Sequence, residues 1–312
     1  MYFIDLHCDT ASCMLYRNAG LNSNNLSVDI NKLIKGRAKA QTFAFFIDAG
    51  EVEDVQLEFE KMYDNFIREI EINKDFIEVV KNIKELEEVN KNNKIGAFLS
   101  IEEGGVLKGN VDNLVKVYNK GIRLITLTWN YKNELGYPNY NYIYKDKGLT
   151  SVGKEIVSEM EHLGIIPDGS HLSDKGFYDL IDICKKPFIL THSNSREITN
   201  HPRNISDDMI KLLANKGGVM GMNFCAEFLG HSKIAKIEEI INHIKHIRNV
   251  GGIDVIALGS DFDGITNEVE ISNCSEMYKL SDALEKEGFS YDEIEKIYYK
   301  NTVRVFKEIL KE

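Results

Sequence analysis

The chain has 312 residues, of which 43% are hydrophobic and 28% are charged, so an ordinary buried core is available and global disorder is excluded. Its formal net charge of −11 and pI near 5.3 argue against a nucleic-acid partner, because phosphate binding requires clustered lysine and arginine. We expect no membrane span and no signal peptide, because no apolar run approaches roughly eighteen residues and nothing precedes the first apolar segment.

The cysteines are odd in number, scattered along the chain and without a CxxC pair. This usage is typical of a reducing compartment rather than of a disulfide framework, so the sequence predicts a cytoplasmic protein. The five residues are Cys8, Cys13, Cys184, Cys225 and Cys274.

Short apolar segments recur along the chain, as expected of parallel strands that are buried on both faces. The eight predicted strands are residues 3–9, 42–49, 95–102, 122–129, 164–171, 187–193, 218–224 and 255–264. Helical patterns lie between them, near residues 59–70, 76–90, 111–119, 151–163, 174–184, 206–215, 236–249 and 275–287. A final helix is predicted to begin at Ser290, where Glu293 completes a capping box, and to end near residue 310.

The alternation of strands and helices predicts right-handed βαβ units and a parallel sheet. Eight units favour an α/β fold of the closed (β/α)8 type, a TIM-like barrel of the metal-dependent hydrolase type with an additional C-terminal helix. A doubly wound open sheet is the alternative, but the glycine-rich dinucleotide motif and the P-loop are both missing from the sequence. With four prolines and no linker-like segment, residues 1–312 are predicted to form one domain.

The first predicted strand carries an unusual polar end, FIDLHCDT at residues 3–10. Residues i and i+2 of a strand point to the same side, so His7 and Asp9 are placed to bind one cation while Cys8 faces away. The alternative is a core histidine beside a turn-forming Asp-Thr pair. The remainder of the chain has to decide between them.

Side chains that can bind metal follow five of the eight predicted strands. In a parallel barrel the carboxyl ends of all strands meet at one rim, where barrel enzymes have their reaction centre. We therefore expect these side chains to lie close together. They are His7, Asp9, Glu102, Glu103, His171, His192, Asp261 and Asp263.

The other histidines lie elsewhere in the predicted fold. His162, His243 and His246 fall in helical segments and His231 in a loop, and all four are predicted to be solvated. His201, in the loop after the sixth strand beside Arg203, is left open.

Three imidazoles and at least two carboxylates exceed the needs of one tetrahedral zinc. They suit two divalent ions that share a bridging carboxylate and a bridging hydroxide. Mixed imidazole and carboxylate ligands favour zinc, although manganese, cobalt or iron can occupy such a set.

The ordered motifs FIDLHCDT, LSIEEGG, LITLTWN, DGSHLS, THSNSR, HPRNISDD and LGSDFDG resemble the membrane (renal) dipeptidase family of binuclear zinc peptidases. The likeness runs from residue 3 to about residue 310 and is that of a bacterial-type, soluble member. It implies that His7 and Asp9 bind one zinc ion and that His171 and His192 bind the second. Glu102 is the implied bridge, with Glu103 as the alternative if the alignment is displaced by one residue.

The resemblance also implies roles that metal binding alone does not require. Asp261 matches the acidic residue beside the attacking water, which transfers its proton to the leaving amine. Arg203 matches the arginine that binds the terminal carboxylate of the substrate. The alternative for Arg203 is an ion pair with Asp207 or Asp208.

Two departures from the family pattern concern the substrate. Trp129 and Asn130 stand where mammalian-type members have a histidine that stabilises the oxyanion, so Asn130, Asn133 or a metal ion alone must supply that stabilisation. Phe228 stands where we expect a tyrosine at a second substrate contact. The tyrosine-rich loop at residues 137–144 is either part of the pocket wall or a surface hairpin or dimer contact.

The sequence therefore predicts a metal-dependent dipeptidase for small dipeptides, with a D-residue allowed at the C-terminal position and a homodimer as a family-level expectation. One alternative is another barrel hydrolase, either a deaminase of the amidohydrolase type or a phosphoesterase. The His-x-Asp motif of the first strand counts against both, because those enzymes usually have His-x-His there. Another alternative is a non-catalytic metal-binding scaffold, which does not explain Asp261 and Arg203.

Overall fold

A computed structural model describes residues 1–230 and 232–311 of the chain. The strands are β1 (Phe3–Cys8), β2 (Ala38–Phe46), β3 (Ile77–Val79), β4 (Ile95–Glu102), β5 (Ile122–Thr126), β6 (Ile166–Asp168), β7 (Ile189–Leu190), β8 (Val219–Met222), β9 (Ile234–Ala235), β10 (Ile256–Leu258) and β11 (Glu268–Val269). The helices are α1 (Thr10–Arg17), α2 (Ile30–Gly36), α3 (Val55–Ile72), α4 (Ile83–Lys91), α5 (Val111–Asn119), α6 (Ser151–Leu163), α7 (Asp174–Ile183), α8 (Asp207–Asn215), α9 (Ala226–Leu229), α10 (Ile237–Gly251), α11 (Tyr278–Lys286), α12 (Tyr291–Glu295) and α13 (Asn301–Ile309). Short 3₁₀ turns lie at Gly104–Leu107, Tyr140–Tyr142, Ile253–Val255 and Cys274–Glu276.

Eight of these strands form a closed parallel barrel. Each strand pairs with the next in the order β2, β1, β10, β8, β7, β6, β5, β4. The barrel closes because β4 also pairs with β2, in a register that runs from Ala40 opposite Gly96 to Phe46 opposite Glu102. The predicted (β/α)8 barrel is confirmed. Its geometry gathers the carboxyl ends of the strands at one rim.

The segment near residues 76–90 was predicted to be a single helix, and this prediction is wrong. The structure has the strand β3 first, and α4 begins only at Ile83, where the Asn82 side chain accepts a hydrogen bond from the Glu85 backbone N–H. β3 pairs with residues 95–97 at the start of β4. From Leu99 onward β4 pairs with β5 instead. The apolar run at the start of the segment is therefore a short additional strand, paired with the start of β4.

Several predicted strands are longer than the observed ones. β6 ends at Asp168 and β7 ends at Leu190, so His171 and His192 lie in the loops that follow. After β6 the chain turns at once, because the Asp168 carboxylate accepts a hydrogen bond of 2.9 Å from the Ser170 backbone N–H. The short helices α1, α2 and α9 and the two-stranded β9–β11 pair were not predicted.

The C-terminal helix closes the barrel at the end opposite the rim. Ser290 and Glu293 form the predicted capping box, and helical backbone continues from α12 through a π-helical turn into α13. Phe306 of α13 packs edge-on against Phe98, with ring centroids 4.8 Å apart, in an apolar cluster with the first residues of several strands. Burying such an aromatic contributes a few kcal/mol of stability, about 3 by large-to-small substitution.

The helical histidines differ from their prediction. His162 is exposed, but His246 is half-buried against Asp207, and His243 is fully buried. Burial is possible because His243 Nδ1 accepts a hydrogen bond from the Ser195 N–H and Nε2 donates to the Leu229 carbonyl, which satisfies both ring nitrogens. His231 lies outside the described residues. Within the described part of the chain, every helix is too short or too polar to cross a bilayer.

Candidate metal centre and substrate pocket

The first half of the site is built by β1 and β4, which carry His7 and Glu102 to the rim. His7 Nε2 lies 3.1 Å from Glu102 Oε2 and 3.5 Å from Asp9 Oδ2. Asp9 follows the last residue of β1, and its backbone N–H donates to the Phe262 carbonyl in the loop after β10. The structure therefore brings His7 and Asp9 together, as the opening motif predicted, and places Glu102 beside them.

The second half of the site comes from the loops after β6 and β7. His171 Nε2 lies 3.0 Å and His192 Nε2 lies 3.4 Å from Glu102 Oε1, and these two nitrogens are 3.0 Å apart. The two oxygens of one buried carboxylate thus face imidazoles from different strands. Glu102 therefore lies between His7 on one side and the His171–His192 pair on the other.

Asp261 completes the cluster from the loop after β10. Its Oδ1 lies 3.9 Å from His7 Nε2, and its Oδ2 accepts a hydrogen bond of 2.9 Å from Asn223 Nδ2. Two sets of three ligand atoms lie within 4.8 Å of one another: His7 with Glu102 and His192, and His7 with Asp9 and Asp261. All five predicted metal ligands and the predicted proton carrier therefore share one site.

Two acidic residues that were predicted for the rim point elsewhere. Glu103 has a left-handed backbone (φ 125°), and its carboxylate accepts hydrogen bonds from the backbone N–H groups of Gly105 and Trp129. Asp263 accepts hydrogen bonds from Thr10 Oγ1 (2.6 Å) and the Ser27 N–H (2.7 Å), which turns it toward α1. Both carboxylates hold loops in place, since buried N–H groups require acceptors.

The electrostatics of the cluster favour a bound cation. Burial opposes ionisation of Glu102, but the surrounding imidazoles lower its pKa well below the ordinary value. Burial and the Arg203 charge lower the pKa of His171 to about 3, so this imidazole is neutral and has a free lone pair. Neutral imidazole and ionised carboxylate are the forms that bind metal.

The residues present fit divalent metal ions. Asp9, Glu102 and Asp261 bring three carboxyl groups to a largely buried site, beside the single guanidinium of Arg203. His7 Nε2 and Asp9 Oδ1 are buried and make no hydrogen bond within residues 1–230 and 232–311. Unpaired buried charges and orphaned ligand atoms are costly, and coordination of a divalent ion removes both penalties.

Arg203 lies beside the cluster with its charge unpaired. It is 6% exposed, and its guanidinium donates to the backbone carbonyls of Ser170 and His192. The alternative ion pair with Asp207 or Asp208 is wrong, because Asp207 pairs with His246 and Asp208 accepts from the Tyr178 hydroxyl. Among the described residues Arg203 has no carboxylate partner, so it is available for an anionic ligand.

A cavity of about 410 Å³ opens over the metal ligands and Arg203. Its wall includes the predicted substrate residues Trp129, Asn130 and Phe228. The Trp129 ring packs 4.8 Å from Phe46 and 6.3 Å from His171. This volume suits a ligand of small-molecule size.

The tyrosine-rich loop contributes to the same wall through Tyr140 and Asn141, so its interpretation as part of the pocket agrees with the structure.

Asn133, considered as an oxyanion donor, makes its hydrogen bonds elsewhere. Its Nδ2 donates to Glu103 and to the Leu127 carbonyl, and its Oδ1 accepts from the Leu135 N–H. Asn130 is the asparagine that lines the cavity.

The sequence left His201 open and gave Cys225 no role, and the structure places both in the cavity wall. His201 lines the cavity, its ring centroid is 4.6 Å from that of Phe228, and its Nδ1 accepts from the Arg203 backbone N–H. Its position next to Arg203 in the HPRN motif was the available signal. Cys225 lines the cavity as well, and burial raises the pKa of its thiol to about 11, which makes it a poor nucleophile.

Residues 1–311 match the family described as membrane dipeptidase, Peptidase family M19. The chain belongs to this family. It is therefore a peptide-bond hydrolase that acts on dipeptides and depends on divalent metal, and the resemblance found in the sequence is confirmed.

Similar proteins agree with the family. An uncharacterised dipeptidase of Schizosaccharomyces pombe is 29% identical over 93% of this chain and 73% of its own length. A Claviceps purpurea dipeptidase is 27% identical over 90% of this chain and 69% of its own. The structure of a Rhodobacter sphaeroides metallopeptidase, liganded with a phosphinate mimic of L-Ala-D-Ala, covers 99% of both chains with a TM-score of 0.92 and 21% identity.

Proposed function

We propose that this family member hydrolyses small dipeptides with a free C-terminal carboxylate at a pair of divalent metal ions, with zinc as the native metal. The observation that carries the proposal is the placement of Glu102, whose two oxygens face His7 on one side and His171 with His192 on the other. A carboxylate shared in this way is the arrangement that two adjacent cations require.

In this proposal His7 and Asp9 would hold one ion, His171 and His192 would hold the other, and Glu102 would serve both. The preponderance of imidazole nitrogen favours zinc over magnesium or calcium, which prefer oxygen ligands. Bound at these residues, divalent ions would polarise the scissile carbonyl and lower the pKa of a water molecule toward neutrality.

Asp261 is the proposed proton carrier. Its Oδ1 faces the ligand cluster, while Asn223 holds Oδ2. A carboxylate held in this position accepts the proton of the attacking water and donates it to the amine nitrogen as the amide C–N bond breaks. The products are two free amino acids, so the atoms of one water molecule are fully accounted for.

Arg203 is the proposed recognition residue for the C-terminal carboxylate. Its guanidinium is buried, fixed by two backbone carbonyls and unpaired with any carboxylate of the described chain, and a planar guanidinium binds a carboxylate through two parallel hydrogen bonds. Phe228 packs 5.4 Å from it, measured from the guanidinium carbon to the ring centroid. Trp129 and Asn130 line the remaining wall, and we assign the oxyanion contact to Asn130 or to a metal ion.

The Rhodobacter sphaeroides metallopeptidase binds a mimic of a dipeptide that ends in a D-residue, which supports D-residues at the C-terminal position here. The test is a panel of L,L- and L,D-dipeptides with metal-reconstituted protein, with amino-acid release as the readout. Two zinc equivalents per chain and dipeptide turnover are expected. Turnover of phosphate esters or aminopurines in place of dipeptides contradicts the proposal, and so does metal binding without turnover of any of these compounds.

A further inference from the structure

A second buried carboxylate lies beneath the metal ligands. Asp168 is the last residue of β6, is fully buried, and accepts five hydrogen bonds from its surroundings. Its Oδ1 accepts from the N–H and the hydroxyl of Ser170 and from the Thr191 N–H. Its Oδ2 accepts from the hydroxyls of Thr126 (2.7 Å) and Thr191 (2.5 Å). Every neighbour donates, so Asp168 acts purely as an acceptor and has no proton of its own to give.

The Thr191 hydroxyl connects this carboxylate to a metal ligand. A hydroxyl has one proton and two lone pairs, and the Thr191 proton is directed to Asp168 Oδ2. The contact of 2.7 Å between Thr191 Oγ1 and His192 Nδ1 therefore requires the imidazole to donate. A neutral His192 then carries its proton on Nδ1, and its lone pair lies on Nε2, the atom that faces Glu102.

The same hydroxyl also approaches the other half of the site. Thr191 Oγ1 lies 3.5 Å from His7 Nδ1, and the rings of His7 and His192 lie side by side, tilted by 39°, with centroids 3.9 Å apart. One hydroxyl thus touches an imidazole on each side of Glu102. By contrast, His171 Nδ1 is buried and has no hydrogen-bond partner within residues 1–230 and 232–311.

We propose that Thr191 and Asp168 are positioning residues that fix the tautomer and ring orientation of His192 and His7, and thereby set the affinity of the site for divalent metal. Neither residue touches the substrate cavity or the ligand atoms that face it. The pair acts through the histidines, since an acceptor on the far ring nitrogen holds the near nitrogen ready to bind metal and raises its basicity. Because one hydroxyl serves ligands of both proposed ions, its loss weakens both binding steps.

The experiment compares three purified variants by zinc titration against a competing chelator. Thr191→Val keeps the size and shape of the side chain but removes the hydroxyl, and zinc dissociation constants about 10- to 100-fold higher are expected for both equivalents. Thr191→Ser restores the hydroxyl and most of the affinity. Thr302→Val removes a buried hydroxyl of α13, at the opposite end of the barrel, that has no hydrogen-bond partner among the described residues, and it leaves zinc affinity unchanged.

Unchanged zinc affinity in a folded Thr191→Val protein overturns the proposal, and so does a Thr191→Ser protein that binds zinc as weakly as Thr191→Val. A second measurement needs no folded Thr191 variant. In ¹⁵N spectra of metal-free wild-type protein, assigned with His192→Gln, the His192 proton is expected on Nδ1, and a proton on Nε2 overturns the proposal. The inference rests on the proposed metal ligands, but it is tested by zinc binding and not by dipeptide hydrolysis. A protein that binds zinc as expected but hydrolyses no dipeptide would contradict the proposed function and leave this inference standing.

Discussion

The side-chain amide of Asn223 donates a hydrogen bond of 2.9 Å to Asp261 Oδ2 and so leaves Asp261 Oδ1 directed at His7, a proposed metal ligand. The amide itself is fixed, because Asn223 Oδ1 accepts a hydrogen bond of 2.6 Å from the Cys225 N–H. A left-handed backbone at Asp261 (φ 63°) supports the same orientation. Strained backbone of this kind persists where the surroundings hold it, and it is common at functional sites.

Replacement of this carboxylate tests its assigned role. Asp261→Asn is expected to lower kcat for dipeptide hydrolysis by about 10²- to 10⁴-fold, because an amide cannot carry the proton. Metal content, measured by elemental analysis, is expected to stay nearly unchanged, since all five proposed ligands remain. Asp263→Asn is the matched control from the same loop, because Asp263 binds Thr10 and Ser27 and should leave kcat intact. An active Asp261→Asn enzyme contradicts the assignment.

Two adjacent glutamates allow a second comparison. Glu102→Gln is expected to lose both metal equivalents, because the carboxylate that faces all three imidazoles becomes a neutral amide. Glu103→Gln is expected to keep its metal. Its free energy of unfolding is expected to fall by about 1–3 kcal/mol, because one of the carboxylate oxygens that accept from the Gly105 and Trp129 N–H groups is replaced by an NH₂ group. Metal analysis and denaturant unfolding measure the two effects. Equal metal loss in both variants would show that Glu103 also binds metal.

The same pair shows where sequence reasoning succeeds and where it stops. The prediction that the candidate ligands lie together required only the rule that parallel strands of a barrel end at one rim. It therefore included His171 and His192, although β6 and β7 end before them. Glu102 was preferred to Glu103 only through the family resemblance, and Glu103 stayed as the alternative, because the two residues are adjacent at the end of the same apolar run. The choice between them depends on the positive φ of Glu103, which turns its side chain away from the rim.

Asp263 illustrates a different limit. Asp261 and Asp263 end the last predicted strand, residues 255–264, and both were expected at the rim. In an extended strand, residues i and i+2 point to the same side. Both residues instead have left-handed backbone, with φ of 63° at Asp261 and 69° at Asp263, so the two-residue period does not apply. His201 is a third case, since its place in the pocket comes from a loop that folds the Arg203 N–H onto its ring.

Recognition of the terminal carboxylate can be isolated with a modified substrate. Arg203→Lys keeps the charge but loses the two-pronged geometry, so kcat/KM for a dipeptide is expected to fall about 10- to 100-fold. The corresponding dipeptide amide has no carboxylate, and its slow hydrolysis should change little. Arg196→Lys is the matched control, because Arg196 in the same loop is already paired with Asp174 at 2.7 and 2.8 Å. An equal loss for both substrates would assign Arg203 a structural role.

The buried histidine of α10 predicts a loss of stability in acid. Burial lowers the pKa of His243 from its ordinary 6.5 to about 4, so between these values the unfolded chain binds a proton that the folded chain does not. The contribution of His243 to the free energy of unfolding is therefore complete above pH 6.5 and is lost as the pH falls toward 4, by about 2 kcal/mol between pH 7 and pH 5.

Denaturant unfolding of the wild type and of His243→Gln at pH 7 and pH 5 measures this loss. The variant should lose about 2 kcal/mol less than the wild type, whereas His162→Gln, at an exposed position, should match the wild type. Equal acid sensitivity of wild type and His243→Gln would mean that other groups govern the transition.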